Sequence, residues 1–378
     1  MGVKAYVFVT RTGTLLGEVT PAAGSWSENA NQPETVTGVF DLASVTEGGR
    51  DWRNHGTPWK HSLAFDVGGR LLGGPIMPHN FDNTDGSLRI TSRGGRILFA
   101  PRSILPPAAM PPRLLTLPDG SPDATLDSTW TGFDLGTIAK KIGQQACAWP
   151  GSDYPIVWPA DRAGVHERTY AAVDRKGVDA AWTDLSKVEN GPDIRLRLEW
   201  KDDASFQWRF ETGTQEQPRL QGRDAHTWGI AKGTGLQVDL DPSRMGSLAW
   251  SRGGRSLDTT LIRGRYDSTL IDAGFPLLEL DSDASANTVD ASTLDSWNAE
   301  TLRTARKPWE FWSFKVPADE SPFPYEYGPG SLITVEVTKE TKVKGGYVPP
   351  GTYQRRIAAL SGGLDNWVTI TCGENYDQ

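Results

Sequence analysis

Catalysis needs nucleophiles, acids, bases or metal ligands at fixed spacings, and in this chain such residues are scattered. None of the five histidines, His55, His61, His79, His166 and His226, lies three or four residues from another, so a paired helical ligand set is absent. His166-Glu167 opens an HExxH pattern, but Tyr170 stands where its second histidine belongs. No GxSxG nucleophile elbow or GxxxxGK[ST] phosphate cradle occurs, and Lys232-Gly233-Thr234-Gly235 lacks the cradle's glycine-to-lysine spacing. Cys147 and Cys372 form no CxxC or Cys/His cluster and are expected as separate reduced thiols. Asp281-Ser282-Asp283-Ala284-Ser285 resembles the start of a calcium loop, whose alternating oxygens converge on a hard cation. Ala286 then replaces the turn glycine and Ser292 the bidentate glutamate, so a solvated approach to a helix is expected, with a weak cation site at Asp281/Asp283 left open. Two carboxylates suffice for glycoside hydrolysis, and among 47 acidic residues no motif marks such a pair. The expectation is therefore a protein that is not an enzyme and takes no cofactor.

What remains is recognition chemistry. Arg195, Arg197 and Arg209 share the outer face of a hairpin and could bind an anion. Glu199 and Glu211 are interspersed among them, which favours a solvated or intersubunit face. Trp309, Phe311, Trp312 and Phe314 place aromatic rings on both faces of one strand, which should be buried on both sides or lie at an interface. Phe323, Tyr325 and Tyr327 occupy a Pro/Gly-rich loop and are the best exposed candidates for stacking on a sugar. Tryptophan and tyrosine are also enriched in subunit contacts. Trp309, Trp312, Phe323, Tyr325 and Tyr327 are thus the candidate interface or glycan contacts.

These residues must be positioned by a chain of 378 residues, which at roughly 100–200 residues per domain implies two to four units. A net charge of −8 disfavours phosphate-backbone binding, and no sequence-specific nucleic-acid contact is expected. No apolar run approaches the roughly 20 residues of a membrane span, and Val3, Tyr6, Val7, Phe8 and Val9 read as a first strand rather than a signal peptide. With 41 glycines and 26 prolines the chain is cut into short segments, favouring strands.

The expected class is α+β and β-rich, with two small β-barrel-like domains bracketing a mixed centre. Residues 1–105 form the first, where Leu63, Phe65 and Val67 alternate before Gly68-Gly69, and Asp82 to Gly86 turns the chain into Leu88 and Ile90. Residues 106–128 are a Pro-rich spacer. The seven prolines from Pro101 to Pro122 could stiffen it toward polyproline II with a reach of about 60 Å, enough to wrap a neighbouring subunit. Residues 129–225 form an α+β domain: apolar stripes predict helices over 133–147 and 177–189. A hairpin follows, pairing 200 with 206 and placing four aromatic rings on one face against the helices. Residues 226–307 are a mixed α/β segment with a helix signalled at Ser292, and 308–378 the C-terminal β-barrel-like domain. Ser-Arg-Gly-Gly-Arg occurs at 92–96 and 251–255, which permits duplicated turns.

Several stretches also resemble the minor tail proteins of actinobacteriophages. They are Gly17-Glu18-Val19, Gly24-Ser25-Trp26-Ser27-Glu28, Pro58-Trp59, Leu63-Ala64-Phe65, Gly73-Gly74-Pro75-Ile76, Gly86-Ser87-Leu88-Arg89-Ile90, Gly191-Pro192-Asp193-Ile194-Arg195, Pro276-Leu277-Leu278-Glu279, Pro350-Gly351-Thr352-Tyr353, Arg356-Ile357 and Leu360-Ser361-Gly362. The family is similar to the baseplate hubs of long-tailed phages, in which three chains with two barrel-like domains each make a pseudo-sixfold ring. The resemblance implies a homotrimer in the virion's tail tip, made in the host cytoplasm, that joins a sixfold tail end to a threefold tip. Its implied partners are a distal tail ring, the C-terminus of the tape-measure protein, and a central fibre or receptor-binding protein. No lysin-like region is appended, so wall degradation is not expected. A carbohydrate-binding receptor module is the alternative, and a cell-wall hydrolase a more distant one.

Overall fold

The computed structural model describes residues 3–111, 114–188, 190–220, 226–230, 235–256, 259–282, 291–339 and 344–374. They fall into two compact units: Met1–Thr234 with Phe314–Thr371, and Gly235–Ser313 with Cys372–Gln378.

The first unit opens with strands β1 (Lys4–Val9), β2 (Leu15–Val19), β3 (Ala23–Asn29) and β4 (Thr35–Asp41) and the short helix α1 (Trp52–His55). Strands β5 (His61–Val67), β6 (Arg70–Asp82) and β7 (Ser87–Arg93) follow. They form one antiparallel ladder in the order β3-β4-β7-β6-β5-β1-β2. Gly68 and Gly69 both take positive φ, +57° and +86°, where side chains are strained, and Asp66 Oδ1 accepts the Gly69 N–H at 2.8 Å. That turn places Arg70 at the start of β6. Leu88 and Ile90 face the core as their parity requires, while both faces of β5 are covered.

Next come β8 (Ser128–Phe133), α2 (Leu135–Cys147), β9 (Ile156–Val157), β10 (Ala163–Tyr170), α3 (Val178–Lys187), β11 (Ile194–Asp202), β12 (Ser205–Thr212) and β13 (His226–Gly229). Both helices lie where their apolar stripes predict. Asp134 caps α2 by accepting the Thr137 N–H at 2.7 Å, and Trp182 of α3 donates its indole N–H to the Ala139 carbonyl at 2.8 Å. The hairpin pairs Trp200 with Phe206 as expected, and a bulge carries the ladder on to Asp202 and Ser205. Its aromatic face serves two neighbours: Phe210 meets Trp182 of α3 at 5.5 Å, and Phe206 meets Phe8 of β1 at 4.7 Å. One hydrophobic core therefore runs from the N-terminal strands into the α+β segment.

The described residues of the Pro-rich segment and its approach make close contacts within this unit. Ile104 N–H donates to Lys176 O at 2.8 Å, Trp149 Nε1–H to Leu105 O at 2.9 Å, and Asp123 N–H to Leu115 O at 3.1 Å. Ala109 is buried with Leu126 and Ala172. Prolines remove donors but leave carbonyls and apolar neighbours free to pack, and Leu114 and Leu117 of the segment stay exposed.

The second unit holds β14 (Gln237–Asp241), β15 (Leu248–Ser256), β16 (Thr259–Tyr266), α4 (Thr269–Asp272), β17 (Glu279–Ser282), α5 (Ala291–Thr304) and the first residues of β18 (Trp309–Pro317). β15 pairs antiparallel with β16 and parallel with β17. Ser251 on β15 donates to the Leu294 carbonyl of α5 at 3.3 Å. Ser292, which the sequence signals as the cap, sits inside the first turn of α5, one residue after its start at Ala291. The two Ser-Arg-Gly-Gly-Arg copies are not equivalent: the first leaves β7 for a 3-10 turn, whereas the second lies within β15.

The chain then returns to the first unit with β19 (Leu332–Val337), β20 (Gly351–Gly362) and β21 (Trp367–Glu374), the last ending in residues of the second. β19 pairs with β13 in parallel and β20 antiparallel. β20 also joins the edge of β3, Ala359 opposite Asn29. C-terminal strands thus extend the N-terminal ladder, which among the described residues is an open path rather than two separate closed barrels. The protein is β-rich and α+β, as its sequence implies.

Trp208 is fully buried where the hairpin meets β1. Trp208→Ala should cost the first unit about 3–5 kcal/mol, read as a lower urea midpoint for the loss of near-ultraviolet circular dichroism.

Candidate functional site

The site is organised by a guanidinium taken almost wholly out of water. Arg70 follows the Gly-Gly turn into β6, and its side chain is 8% exposed against 3% for Glu28 on β3. Arg70 Nε and Nη2 donate to the two Glu28 oxygens at 2.7 and 2.6 Å, and Nη1 donates to the Tyr327 carbonyl at 2.7 Å. Arg195 of β11 extends the network, with Nη1 3.6 Å from Glu28 and Nη2 2.5 Å from Glu211. Glu34 lies beside it, and burial, then the Glu28 charge, push its carboxyl up to about 8. Burial alone would raise Glu211 too, but the Arg195 and Arg197 charges hold it below the usual carboxylate range.

Against this network opens a cleft of about 640 Å3, lined by hairpin residues and by the loop that carries Tyr325 to Ser331. Arg197 and Arg209 stand directly opposite each other across the hairpin. Arg209 is gripped by both oxygens of Glu199, at 3.0 and 2.8 Å. The Arg197 side chain makes no hydrogen bond among the described residues, and its nearest carboxylate is Glu211 at 3.8 Å. Burial, reinforced by the Arg70 and Arg195 charges, lowers its pKa. On the loop, Tyr325 is 42% exposed and stacks on Phe323, ring centroids 5.7 Å apart and planes 7° from parallel.

The hairpin arginines and the aromatic loop, distant in sequence, thus line one cleft. The arginine face is neither freely solvated nor bare, because Glu28 and Glu211 reach into it. Tyr327 departs from expectation: it is 1% exposed, because Arg70 draws in its carbonyl while its ring packs edge-on against Trp228 at 5.2 Å. Burial pushes its phenol well above the usual range. Trp309 and Trp312 belong to the second unit and do not join the cleft. Trp309 is half-buried beneath the Arg244 guanidinium, 4.5 Å from its ring centroid, and Trp312 is buried with its indole N–H on Glu310. The aromatic strand is therefore buried on its Trp312 and Phe314 side and half-covered at Trp309 and Phe311.

Sequence reading missed Arg70, Glu28 and Glu34. A signal existed for one of them: Glu28 shares the strand parity of Trp26, so it had to point inward with that indole. Burial pushes the Cys147 thiol up to about 12, which disfavours the thiolate at neutral pH. Asp281 lies on β17, while Asp283 and the Lys232–Thr234 stretch lie outside the described residues. Among the described residues no group of three His, Cys, Asp or Glu is placed to hold a metal, and no helix is long and apolar enough to cross a membrane.

No family model matches the sequence, and none of the curated proteins matches it. Solved structures do. A tail protein from Neisseria meningitidis MC58 aligns over 99% of this chain and 97% of its own, with a TM-score of 0.56 and 11% identity. The 43 kDa tail protein of prophage MuSo2 from Shewanella oneidensis aligns over 99% of both chains, at 0.55 and 9%. The prophage tail protein gp18 from Listeria monocytogenes EGD-e aligns over 100% and 96%, at 0.50 and 9%. The chain shares its fold with these tail proteins.

Two outcomes test the network. Arg70→Ala leaves Glu28 buried without its partner and should cost about 3–5 kcal/mol, measured by urea unfolding. Glu34 is neutral in the folded state near pH 7 but ionises above 4.5 when unfolded, so its contribution is complete below that value and is lost as pH rises through about 8. Glu34→Gln should flatten the fall in thermal midpoint across that window; an unchanged pH profile would show that Glu34 is already ionised in the fold.

Proposed function

We propose that this chain is a structural protein of a bacteriophage tail, located in the virion, where three copies form the baseplate hub between a sixfold tail end and a threefold tip. The observation that carries the reading is the fold likeness to tail proteins, which runs nearly end to end in both chains. The closer assignment to the minor tail proteins of actinobacteriophages is part of the same proposal and leans on the turn and strand-edge stretches quoted above. A closed ring of three needs heterologous contacts, in which one patch meets a different patch on the neighbour. The β-rich ends of the chain, with Trp309, Phe323 and Tyr325 as partly exposed rings, supply candidate patches. A distal tail ring, the end of the tape-measure protein and a central fibre or receptor-binding protein are the proposed neighbours. Chemical turnover has no place in this role.

A second reading, a glycan-binding module of the tail tip, draws on the stacked Phe323–Tyr325 pair, since an exposed ring face suits a sugar. Glycan-array binding that disappears in Tyr325→Ala would favour it.

Mass measurement of assembled tail tips should give three copies of this chain per tip. Six copies would move it to the distal ring, and sugar or peptide release from purified cell wall by the isolated protein would overturn the structural role.

A further inference from the structure

The carboxylates around Arg197 are already engaged. Glu28 is held by Arg70, Glu199 by Arg209, and Glu211 by Arg195. Glu326, on the loop lining the cleft, accepts the Phe323 N–H at 2.7 Å and so holds its own loop. Arg197 is left with a 3.8 Å contact to Glu211 and with Arg209 opposite it on the same face. Like charges placed directly across a ladder destabilise it. Glu199 offsets the Arg209 charge, whereas Arg197 has only its long contact to Glu211, so its donors are available to one more anion.

The cleft's volume, about 640 Å3, lies within the roughly 300–1,000 Å3 typical of ligand sites. Its lining mixes guanidinium groups with the exposed ring of Tyr325 and the half-buried Trp158. Arginine with aromatic anchors is the composition that dominates protein–protein hot spots. A guanidinium fork matches the two oxygens of a carboxylate. Since the whole chain carries a net charge of −8, long-range attraction does not gather polyanions, and a nucleic-acid backbone is disfavoured. The need is for a single negative charge at one place, beside a ring that can cover the rest of a peptide.

We infer that this cleft binds an acidic peptide segment of a partner protein, with Arg197 receiving one of its carboxylates and Tyr325 covering the adjoining backbone. The inference concerns the cleft alone and stands apart from the copy number of the chain in a tail.

The test uses the full chain and a blocked tetraglutamate peptide, with blocked tetraglutamine and inorganic phosphate as comparisons, followed by calorimetry at two salt concentrations. Saturable binding of the glutamate peptide is expected, with no heat from the glutamine peptide or phosphate. Arg197→Gln should weaken it by about tenfold or more, and Tyr325→Ala by less. The Arg197 side chain is 41% exposed and has only the 3.8 Å contact to Glu211, so this variant should fold, which circular dichroism checks. Absence of binding, equal affinity in Arg197→Gln, or phosphate binding as tight as the peptide would each overturn the assignment. None of these results alters the count of copies per tail tip, so the two proposals fail separately.

Discussion

A guanidinium removed from water must find acceptors for its donors, and Arg70 finds them in two distant parts of the chain. Glu28 supplies two carboxylate oxygens from β3, and the loop before β19 supplies the Tyr327 carbonyl. Leaving any of these unmet in a buried site would cost several kcal/mol. The requirement therefore pins the aromatic loop against the N-terminal sheet and, through Glu28, orients Arg195 on the hairpin. The cleft exists because these groups cannot move apart without exposing a buried charge.

The same logic recurs around Asp193. Its Oδ1 accepts from Asn31 at 2.9 Å, and its Oδ2 accepts from the Leu220 N–H at 2.9 Å and from Arg356 at 2.7 Å. Asn31 itself adopts φ +57° and accepts the Ile194 N–H at 2.8 Å. The stretches around Asp193 and Arg356 thus meet through an ion pair. These polar ties join the start of β11 to β20 within the first unit.

Local patterns read well where one element decides its own fate. The stripe Leu135, Ile138, Ala139, Ile142 and Ala146 could bury itself only as a helix, and Asp134 could only cap it. The alternation through Ile194–Trp200 and Phe206–Phe210 left a single register that puts the rings together. Composition misled where packing decided. Seven prolines suggested an extended spacer, yet Ile104 and Ala109 at its start are buried among apolar partners. Tyr327 looked exposed by its loop, although its backbone carbonyl was needed by a buried cation that lies 257 positions away in sequence.

The sequence by itself determined the β-rich α+β class, the helices, the hairpin register and the lack of a recognised catalytic motif. These follow from side-chain periodicity and from short-range turn chemistry, which act within a few residues. Only the tertiary structure decided that β20 extends the N-terminal ladder, that Glu28 and Arg70 form a buried pair, and that Arg197 faces a cleft with its neighbouring carboxylates already taken. Those outcomes depend on which charges share a dry space, and the long-range pairing that brings residues 28, 70, 195 and 327 together leaves no periodic trace in the chain.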